Sequence, residues 1–127
     1  MKLLLDTHIF LWYISGDKQL PEKFKKEIRL QENEVYLSAV SLWEIIVKYQ
    51  LGKLSLPHSP EIYIPEQREK HRISSMIITE QDISELLNLP PIHRDPFDRM
   101  LICQALSQDL TIVTVDGYIS QYPVDLL

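Results

Sequence analysis

Four acidic side chains stand where predicted strands or helices begin or end, and such groups could hold a metal ion. Asp6 comes directly after a short apolar run, and Asp116 comes directly after a β-branched run. Glu44 and Asp98 fall in the first turns of two predicted helices. Carboxylates at close range repel each other, by about 4 kcal/mol at 4 Å with an effective dielectric near 20. A converging set of four therefore requires cations or bound protons.

Hard divalent cations are the ions that suit such a set, because carboxylate oxygens favour Mg²⁺ or Mn²⁺. One ion with a water, or two ions about 3.5–4 Å apart, can activate water and stabilise the leaving oxygen of a phosphodiester. No side chain in the sequence is an obvious general base, so the metal would have to lower the pKa of the water. If the four acids converge, they indicate metal-dependent phosphodiester hydrolysis.

The elements that position these acids alternate between strands and helices. Apolar runs and turn residues predict strands over Leu3–Leu5, Val35–Ser38, Ile73–Ile78, Thr111–Val115 and, at a sheet edge, Val124–Leu126. Helices are predicted over Thr7–Ser15, from Pro21, over Ser41–Leu51, over Ser59–Lys70, from Thr79 to before Pro90, and from Asp95 to about Ser107. In the helix that begins at Pro21, the side chains of Phe24, Ile28 and Leu30 are expected to face inward. Gly16 and Gly52 are predicted to end two of them. This alternation predicts an α/β fold in three α/β/α layers, with a central, mainly parallel sheet of four to five strands.

Each acid also has a purely structural explanation. In Ser41-Leu42-Trp43-Glu44 the serine could cap a helix and the glutamate could reach back to it. Asp95 could cap the helix that contains Asp98, and Asp116-Gly117 could be only a turn. Acids in first helical turns gain about 0.3–1 kcal/mol from the helix dipole alone. A shared site is favoured because all four acids should fall at one edge of the sheet, where parallel α/β folds bind ligands.

Composition limits the remaining possibilities. A length of 127 residues suits a single domain over residues 1–127, and 45% hydrophobic with 24% charged residues argues against disorder. The single cysteine, Cys103, excludes an intrachain disulfide and favours a reducing compartment, so we expect a cytoplasmic protein without a membrane or targeting segment. A net charge of −5 argues against attachment to nucleic acid or membrane by bulk positive charge. The three glycines exclude glycine-rich phosphate loops.

The acids and their flanking residues resemble the PIN-domain ribonucleases, and specifically the VapC toxins of bacterial toxin–antitoxin pairs. The resemblance covers nearly the whole chain. Its markers are Leu5-Asp6-Thr7-His8, Ser41-Leu42-Trp43-Glu44 with Lys48 and Gly52-Lys53-Leu54, the run from His93 to Leu101 with Gln104-Ala105, and Thr114-Val115-Asp116.

The resemblance implies a PIN-like fold and a metal-dependent endoribonuclease that leaves 5′-phosphate and 3′-hydroxyl ends. Its catalytic and metal-binding set would be Asp6, Glu44, Asp98 and Asp116, with one or two Mg²⁺ or Mn²⁺ ions per site. Thr114 matches a hydroxyl that orders the carboxylates and water in this family. The resemblance also implies an RNA substrate, a homodimer, and a cognate antitoxin protein whose tail blocks the active site.

Other polar residues receive weaker predictions. Lys48 and Arg99 are candidates for phosphate contact, but no dense basic patch is visible in the sequence. Lys48 lies four residues after Glu44, which favours a simple ion pair along one helix face. Asp95 could share the face of Asp98 as a ligand, but a helix cap is the favoured interpretation. The four histidines show no zinc-ligand spacing and are given little weight.

Two other functions compete with the ribonuclease. The first is a non-catalytic PIN-like module that binds a protein partner and shows no metal-dependent cleavage. The second is a phosphatase with Asp6 as nucleophile. Such a phosphatase usually requires a second acid two residues later, where this sequence has His8.

Overall fold

A computed structural model describes residues 1–127 as a five-stranded sheet between two layers of helices. The strands are β1 (Lys2–Leu5), β2 (Glu34–Ser38), β3 (Ser74–Met76), β4 (Thr111–Val113) and β5 (Asp125–Leu126). The helices are α1 (Thr7–Ser15), α2 (Glu22–Arg29), α3 (Ala39–Gln50), α4 (Pro60–Lys70), α5 (Glu80–Ser84) and α6 (Pro96–Gln108). Short 3₁₀ turns follow at Glu85–Asn88 and Ile119–Gln121. The α/β class and the number of strands are as predicted.

The strand order is β3-β2-β1-β4-β5, and every neighbouring pair is parallel. The central strand β1 pairs with β2 on one side and with β4 on the other, where Leu5 lies opposite Val113. The chain therefore extends the sheet first in one direction and then in the other. In parallel sheets this change of direction opens a crevice at the carboxyl ends of the two diverging strands. Here that crevice lies between the ends of β1 and β4.

The sheet buries a separate apolar cluster on each face, as the three-layer prediction requires. Successive side chains of a strand point to opposite faces. Leu3 and Leu5 accordingly join a cluster with Phe10 of α1 and Ile64 of α4, whereas Leu4 joins one formed largely by α6. All three leucines are fully buried. This burial on both faces explains why β1 reads as an unbroken apolar run rather than as an alternating pattern.

The start of α3 differs from the prediction. The helix begins at Ala39, directly after β2, and its cap is Ser38, whose Oγ accepts the backbone N–H of Val40 at 3.0 Å. Ser41 lies inside the helix and is fully buried, so the predicted capping box of Ser41 and Glu44 is wrong. The strand and the helix share one residue as boundary, which leaves no room for a cap three residues later. Glu44 is thereby freed from a capping role.

Other boundaries shift by a few residues. The predicted strands Ile73–Ile78 and Thr111–Val115 are shorter, because pairing ends at Met76 and Val113. Ser59 precedes α4, but its hydroxyl bonds to Glu61 and not to the helix backbone. Leu30 is 39% exposed and does not face inward. None of the helices combines the length and apolar character that crossing a bilayer requires.

Candidate active site

Asp6 occupies the floor of the crevice. It follows β1 directly and is held there by its own backbone N–H, which donates to the carbonyl of Val113 at 3.0 Å. Its side chain is nearly inaccessible, because the residue is only 4% exposed. Oδ2 accepts a hydrogen bond of 2.7 Å from the hydroxyl of Thr114, whereas Oδ1 is buried without any partner. A buried carboxylate oxygen without a donor is costly, and a cation would remove that cost.

Glu44 lies beside Asp6, one turn into α3, and is 2% exposed. Its Oε1 accepts a hydrogen bond of 2.8 Å from the hydroxyl of Thr7, which also bonds to Ser41. Its Oε2 forms an ion pair with Lys48, one turn further along α3. The ion pair predicted from the i,i+4 spacing is therefore present. Although burial opposes it, the bond to Glu44 raises the pKa of Lys48, so the ammonium stays charged.

Asp98 and Asp116 form the outer part of the site, and a histidine joins them. Nε2 of His93 lies 2.9 Å from Oδ2 of Asp98 and 3.2 Å from Oδ2 of Asp116. Nδ1 of the same ring accepts the backbone N–H of Asp95 at 3.2 Å. An Nδ1 that accepts cannot carry the proton in a neutral ring, so Nε2 is the donor toward both carboxylates. The other oxygen of Asp116 accepts the N–H of Tyr118 at 2.7 Å.

The four carboxylates influence one another, which places them within electrostatic reach. Burial, with the charges of Glu44 and Asp116, raises the pKa of Asp6, although the bond from Thr114 acts in the opposite direction. Burial likewise raises the pKa of Asp98 to about 7, and neighbouring negative charges add to this effect. Those charges belong to Asp6, Asp95 and Glu44. Asp6 and Glu44 lie in the buried part of the crevice and Asp98 and Asp116 in its more exposed part. Of the four, Asp98 and Asp116 place ligand atoms within 4.8 Å of each other and of His93.

The donor set fits a divalent cation. It combines hard carboxylate oxygens from four elements with a buried oxygen of Asp6 that has no hydrogen-bond donor. One ligand atom each from His93, Asp98 and Asp116 also lies within 4.8 Å of the others. Asp6, Glu44, Asp98 and Asp116 could therefore hold a metal ion. His93 could bind one through Nε2 only after losing its bond from Asp95, because coordination would move the ring proton to Nδ1.

The supporting residues take the places that the sequence favoured. The hydroxyl of Thr114 donates to Asp6 and accepts the backbone N–H of Asp116 at 3.0 Å, so it ties the two acids together. Asp95 caps α6 through its Oδ1, which accepts the N–H groups of Phe97 and Asp98 at 2.8 and 3.3 Å. The guanidinium of Arg99 is bonded to the carbonyls of Pro90 and His93 at 3.1 and 3.3 Å. It fixes the loop that carries His93.

Sequence reasoning missed two residues of this site. His93 was given little weight because histidine spacing alone carries no zinc signal, although it lies in the loop immediately before the cap of α6. Thr7 was read only as the first residue of a helix, yet it orients Glu44 from the neighbouring element. Its position directly after Asp6 was the signal available: a hydroxyl beside the floor of the crevice can reach only the groups gathered there.

Comparisons with known proteins agree with this geometry. A family model described as the PIN domain matches residues 3–124. A segment of 38 residues is 42% identical to Ribonuclease VapC16 of Mycobacterium tuberculosis. That segment spans 30% of this chain and only 27% of the relative, or about a quarter of its length.

Three solved structures share the fold over nearly the whole chain. VapBC2 from Rickettsia felis bound to a promoter DNA fragment gives a TM-score of 0.71 at 16% identity, covering 100% of this chain and 98% of that one. DNA-bound VapBC from Salmonella typhimurium gives 0.69 at 22% identity, covering 100% and 97%. FitAcB from Neisseria gonorrhoeae gives 0.65 at 19% identity, covering 98% and 96%.

The fold and the crevice define an α/β protein with a clustered carboxylate site at the point where a parallel sheet changes direction. The chain belongs to the PIN domain family, whose model matches it almost from end to end. The family resemblance predicted from the sequence is thereby confirmed.

Proposed function

We propose that this protein is a metal-dependent endoribonuclease of the cytoplasm and the toxin component of a toxin–antitoxin pair. The observation that carries the proposal is the buried carboxylate of Asp6, whose Oδ1 has no partner and which lies within electrostatic reach of the buried Glu44. A buried carboxylate oxygen without a partner destabilises the fold unless it serves a ligand. The short but 42% identical segment shared with Ribonuclease VapC16 supports the choice of RNA as substrate.

The four carboxylates would hold one or two Mg²⁺ or Mn²⁺ ions. When bound, such ions lower the pKa of water and stabilise the leaving oxygen of a phosphodiester. Asp6 fixes the depth of the site, because its backbone is tied to β4 and its Oδ2 to Thr114. Glu44 is oriented by Thr7 from one side and by Lys48 from the other.

The outer residues face solvent and are placed to meet the RNA. Asp116 is the most accessible of the four acids, with 28% of its side chain exposed. His93 carries its proton on Nε2, so it can donate a hydrogen bond to a phosphate oxygen as readily as to Asp98. Lys48, with 36% of its side chain exposed, adds a positive charge at the same opening. Arg99 would act indirectly, because its guanidinium holds the loop that carries His93.

The proposed partner is an antitoxin protein, since the solved structures of similar fold are VapBC and FitAcB assemblies. An antitoxin that blocks the crevice would need to bring a cation to it, because the uncovered crevice is lined by carboxylates. The homodimer implied by the resemblance stays a prediction, which light scattering on the purified protein tests.

The decisive experiment is RNA cleavage by the purified protein with Mn²⁺ or Mg²⁺ and with EDTA. We expect cleavage only with the metal, and we expect Asp6→Asn and Asp98→Asn to fold but not to cut. Asp125→Asn serves as the matched control, because it removes an exposed acid on β5 that is remote from the crevice. RNA cleavage retained by both site variants would overturn the proposal.

A second measurement separates an enzyme from a binding module. Calorimetric titration with Mn²⁺ should show binding to the parent protein and to Asp125→Asn, and weaker binding to Asp98→Asn. A non-catalytic PIN-like module would show neither metal affinity above background nor cleavage. Induced expression followed by sequencing of RNA ends, with Asp98→Asn alongside, would then identify the RNA that is cut.

A further inference from the structure

The structure gathers positive charge on a face that the sequence did not reveal. Seven of the 13 lysines and arginines lie in two short segments, four within α2 and three between residues 68 and 72 at the end of α4. These segments are about forty residues apart in the chain but adjacent in the fold. No dense basic patch was expected from the sequence, whereas the fold places six of these seven cations around two neighbouring depressions.

The patch surrounds a groove of about 560 Å³. Its walls carry the side chains of Arg29, Lys70, His71 and Arg72, and none of its ten lining residues is acidic. A second depression along α2 shares Arg29 and adds three lysines, which are Lys23, Lys25 and Lys26, together with one acid, Glu22. The two depressions together form one surface, which we call the α2–α4 basic face. It is a local exception in a protein whose net charge is −5.

The cations of this face lack acidic partners. The ion pair of Lys48 with Glu44 lies at the carboxylate crevice, and no lysine or arginine of the α2–α4 basic face forms an ion pair. Burial, together with the positive charges of Lys70 and Arg29, lowers the pKa of His71. Unpaired cations around a concave surface attract anions.

The backbone at Arg72 makes this arginine a useful position for a test, because glycine could replace it without strain. Arg72 has φ of +57°, in the left-handed region where glycine normally ends a helix. Its N–H donates to Glu69, and the following N–H of Ile73 donates to Arg68, as in a Schellman motif. Asp109 ends α6 in the same left-handed conformation, so neither of these two helix ends uses glycine. Helix dipoles explain cations in the last turns of α2 and α4, but they do not explain Arg72.

The groove also offers groups that suit a nucleic acid better than an acidic peptide. The ring of Tyr13 meets His71 edge-on at 5.2 Å between centroids, within the wall formed by the cations. Gln31 lines the same wall, as does Asn33, whose side chain is already bonded to the amino terminus and to Glu27. Aromatic rings among cations provide stacking surfaces as well as phosphate contacts, and this combination is typical of single-stranded nucleic-acid sites. An acidic peptide would contact the cations through its carboxylates, whereas a nucleic acid could contact the cations and also stack its bases on the rings.

The face lies at the amino ends of the strands, opposite the crevice. Val35 lies near the start of β2, and Arg72 precedes β3. By contrast, Asp6, Glu44 and Asp116 come after the carboxyl ends of β1, β2 and β4, and Asp98 lies in the first turn of α6. A four-residue strand separates the two edges by about 13 Å. An RNA held at both places would therefore have to extend around the domain.

We propose that the α2–α4 basic face binds the phosphate backbone of the RNA substrate at a distance from the bond that is cut. This proposal rests on the ribonuclease function proposed above. The face supplies affinity through Arg29, Lys70 and Arg72, and the acidic crevice supplies the chemistry. The separation explains how an acidic nuclease can hold a polyanion.

The test measures RNA binding without cleavage, by fluorescence anisotropy of a labelled hairpin RNA in EDTA at several salt concentrations. We expect Lys70→Gln/Arg72→Gln to bind about 25-fold more weakly at 0.1 M salt, at about fivefold for each cation lost. The slope of log K against log salt should decrease by roughly 0.7 per cation. The matched control is Gln81→Glu/Asn88→Asp, two exposed positions around α5 that change the net charge equally. The control should bind like the parent.

Arg72→Gly separates binding from folding. Glycine relieves the left-handed backbone, so Tm should be unchanged or higher while RNA affinity falls. Equal binding by the parent, the Lys70→Gln/Arg72→Gln variant and Arg72→Gly would overturn the proposal, even if cleavage is observed. Equal loss in the charge-matched control would also overturn it. Because the assay needs no catalysis, weaker binding by the patch variants supports the face even if the metal-dependent nuclease proposal fails.

Discussion

At the residue scale, the carboxylates of the crevice work against the stability of the domain. Asp6 and Glu44 are buried, and the pKa of Asp98 is raised to about 7, so its charged form is disfavoured near neutral pH. Internal hydrogen bonds offset this cost only in part, since Oδ1 of Asp6 has no donor. Residues that destabilise a fold and yet occupy its centre are typical of functional sites.

Asp98→Asn should therefore stabilise the protein in EDTA while abolishing cleavage. A group whose folded pKa lies above its unfolded value of about 3.9 contributes stability at low pH and loses it as pH rises through about 7. The amide keeps an oxygen that can accept from His93 but carries no charge. Thermal unfolding should give similar Tm values for parent and variant near pH 4, and a higher Tm for Asp98→Asn at pH 8. A lower Tm at pH 8 would contradict the repulsion argument.

Thr114 offers a test of positioning. Its hydroxyl joins Asp6 to the backbone of Asp116, so Thr114→Val should misorient two acids without changing the size of the side chain. Loss of such a supporting bond typically costs about 10–100-fold in metal affinity. Thr114→Ser, which keeps the hydroxyl, should restore Mn²⁺ binding in calorimetry. If valine and serine variants bind Mn²⁺ equally, the hydroxyl does not position the acids.

The sequence predicted the acids of the site better than their neighbours. The four carboxylates and Thr114 follow strand ends or start helices, and such positions can be read from local pattern. His93 and Thr7 act through contacts with groups distant in sequence, as when Thr7 bonds to Glu44 across 37 positions. No spacing rule carries that information, because the contact exists only once β1 and β2 are paired.

At the scale of elements, the junctions between strands and helices decide which side chains are free for chemistry. Because Ser38 caps α3, the carboxylate of Glu44 is free to contact other groups of the crevice. The carboxylate of Asp95 instead accepts the backbone N–H groups that begin α6. The cap prediction was correct for α6, where Pro96 marks the first helical residue. It was wrong for α3. Ser38 and Ser41 are both possible caps, and because β2 ends at Ser38, the helix begins directly after it.

The cap of α5 gives a stability prediction. Asp82 is buried; its Oδ2 accepts the backbone N–H of Thr79 at 2.9 Å, and its carboxylate also accepts Nε2 of Gln108 in α6. Burial alone would raise its pKa, but these hydrogen bonds outweigh it and lower the pKa of Asp82. Asp82→Ala should reduce the free energy of unfolding at pH 7 by about 1–3 kcal/mol, because it removes the cap and leaves Gln108 without its acceptor.

Urea denaturation measures this loss, with Glu80→Ala at an exposed position of the same helix as the control. A lowered folded pKa contributes stability above the unfolded pKa of about 3.9, and this contribution disappears as pH falls through the folded value. The difference between parent and Asp82→Ala should therefore narrow below about pH 4. A difference that stays constant down to pH 2 would mean that packing, and not the charged cap, is responsible.

At the scale of the whole molecule, the all-parallel sheet places opposite charges at opposite edges. The acids collect at the carboxyl ends of the strands, and the α2–α4 basic face lies at the amino ends. The fold class and strand number were predictable, since alternating strands and helices permit few topologies. The basic face was not, because its two segments come together only through the pairing of β2 with β3.

This arrangement predicts that the effect of the basic face depends on substrate length. Lys70→Gln/Arg72→Gln should lower kcat/KM for a hairpin RNA by about the same factor as the affinity, roughly 25-fold at 0.1 M salt. The same variant should leave kcat/KM for a dinucleotide reporter unchanged, since a dinucleotide cannot reach both edges. Steady-state kinetics on the two substrates provides the measurement. An equal decrease for both would place the effect at the crevice instead.

The contacts of His93 and Lys48 have a consequence for how the enzyme would be switched on. The ammonium of Lys48 already offsets one carboxylate charge of the crevice, and His93 donates a hydrogen bond to two other carboxylates. These contacts reduce the repulsion among the acids but leave Oδ1 of Asp6 without a partner. A cation that binds there would compete with Lys48 and His93 for the carboxylates while it relieves their remaining repulsion. This competition would lower the net affinity for the ion. If the proposed nuclease function is correct, its activity would then depend on the concentration of free divalent metal.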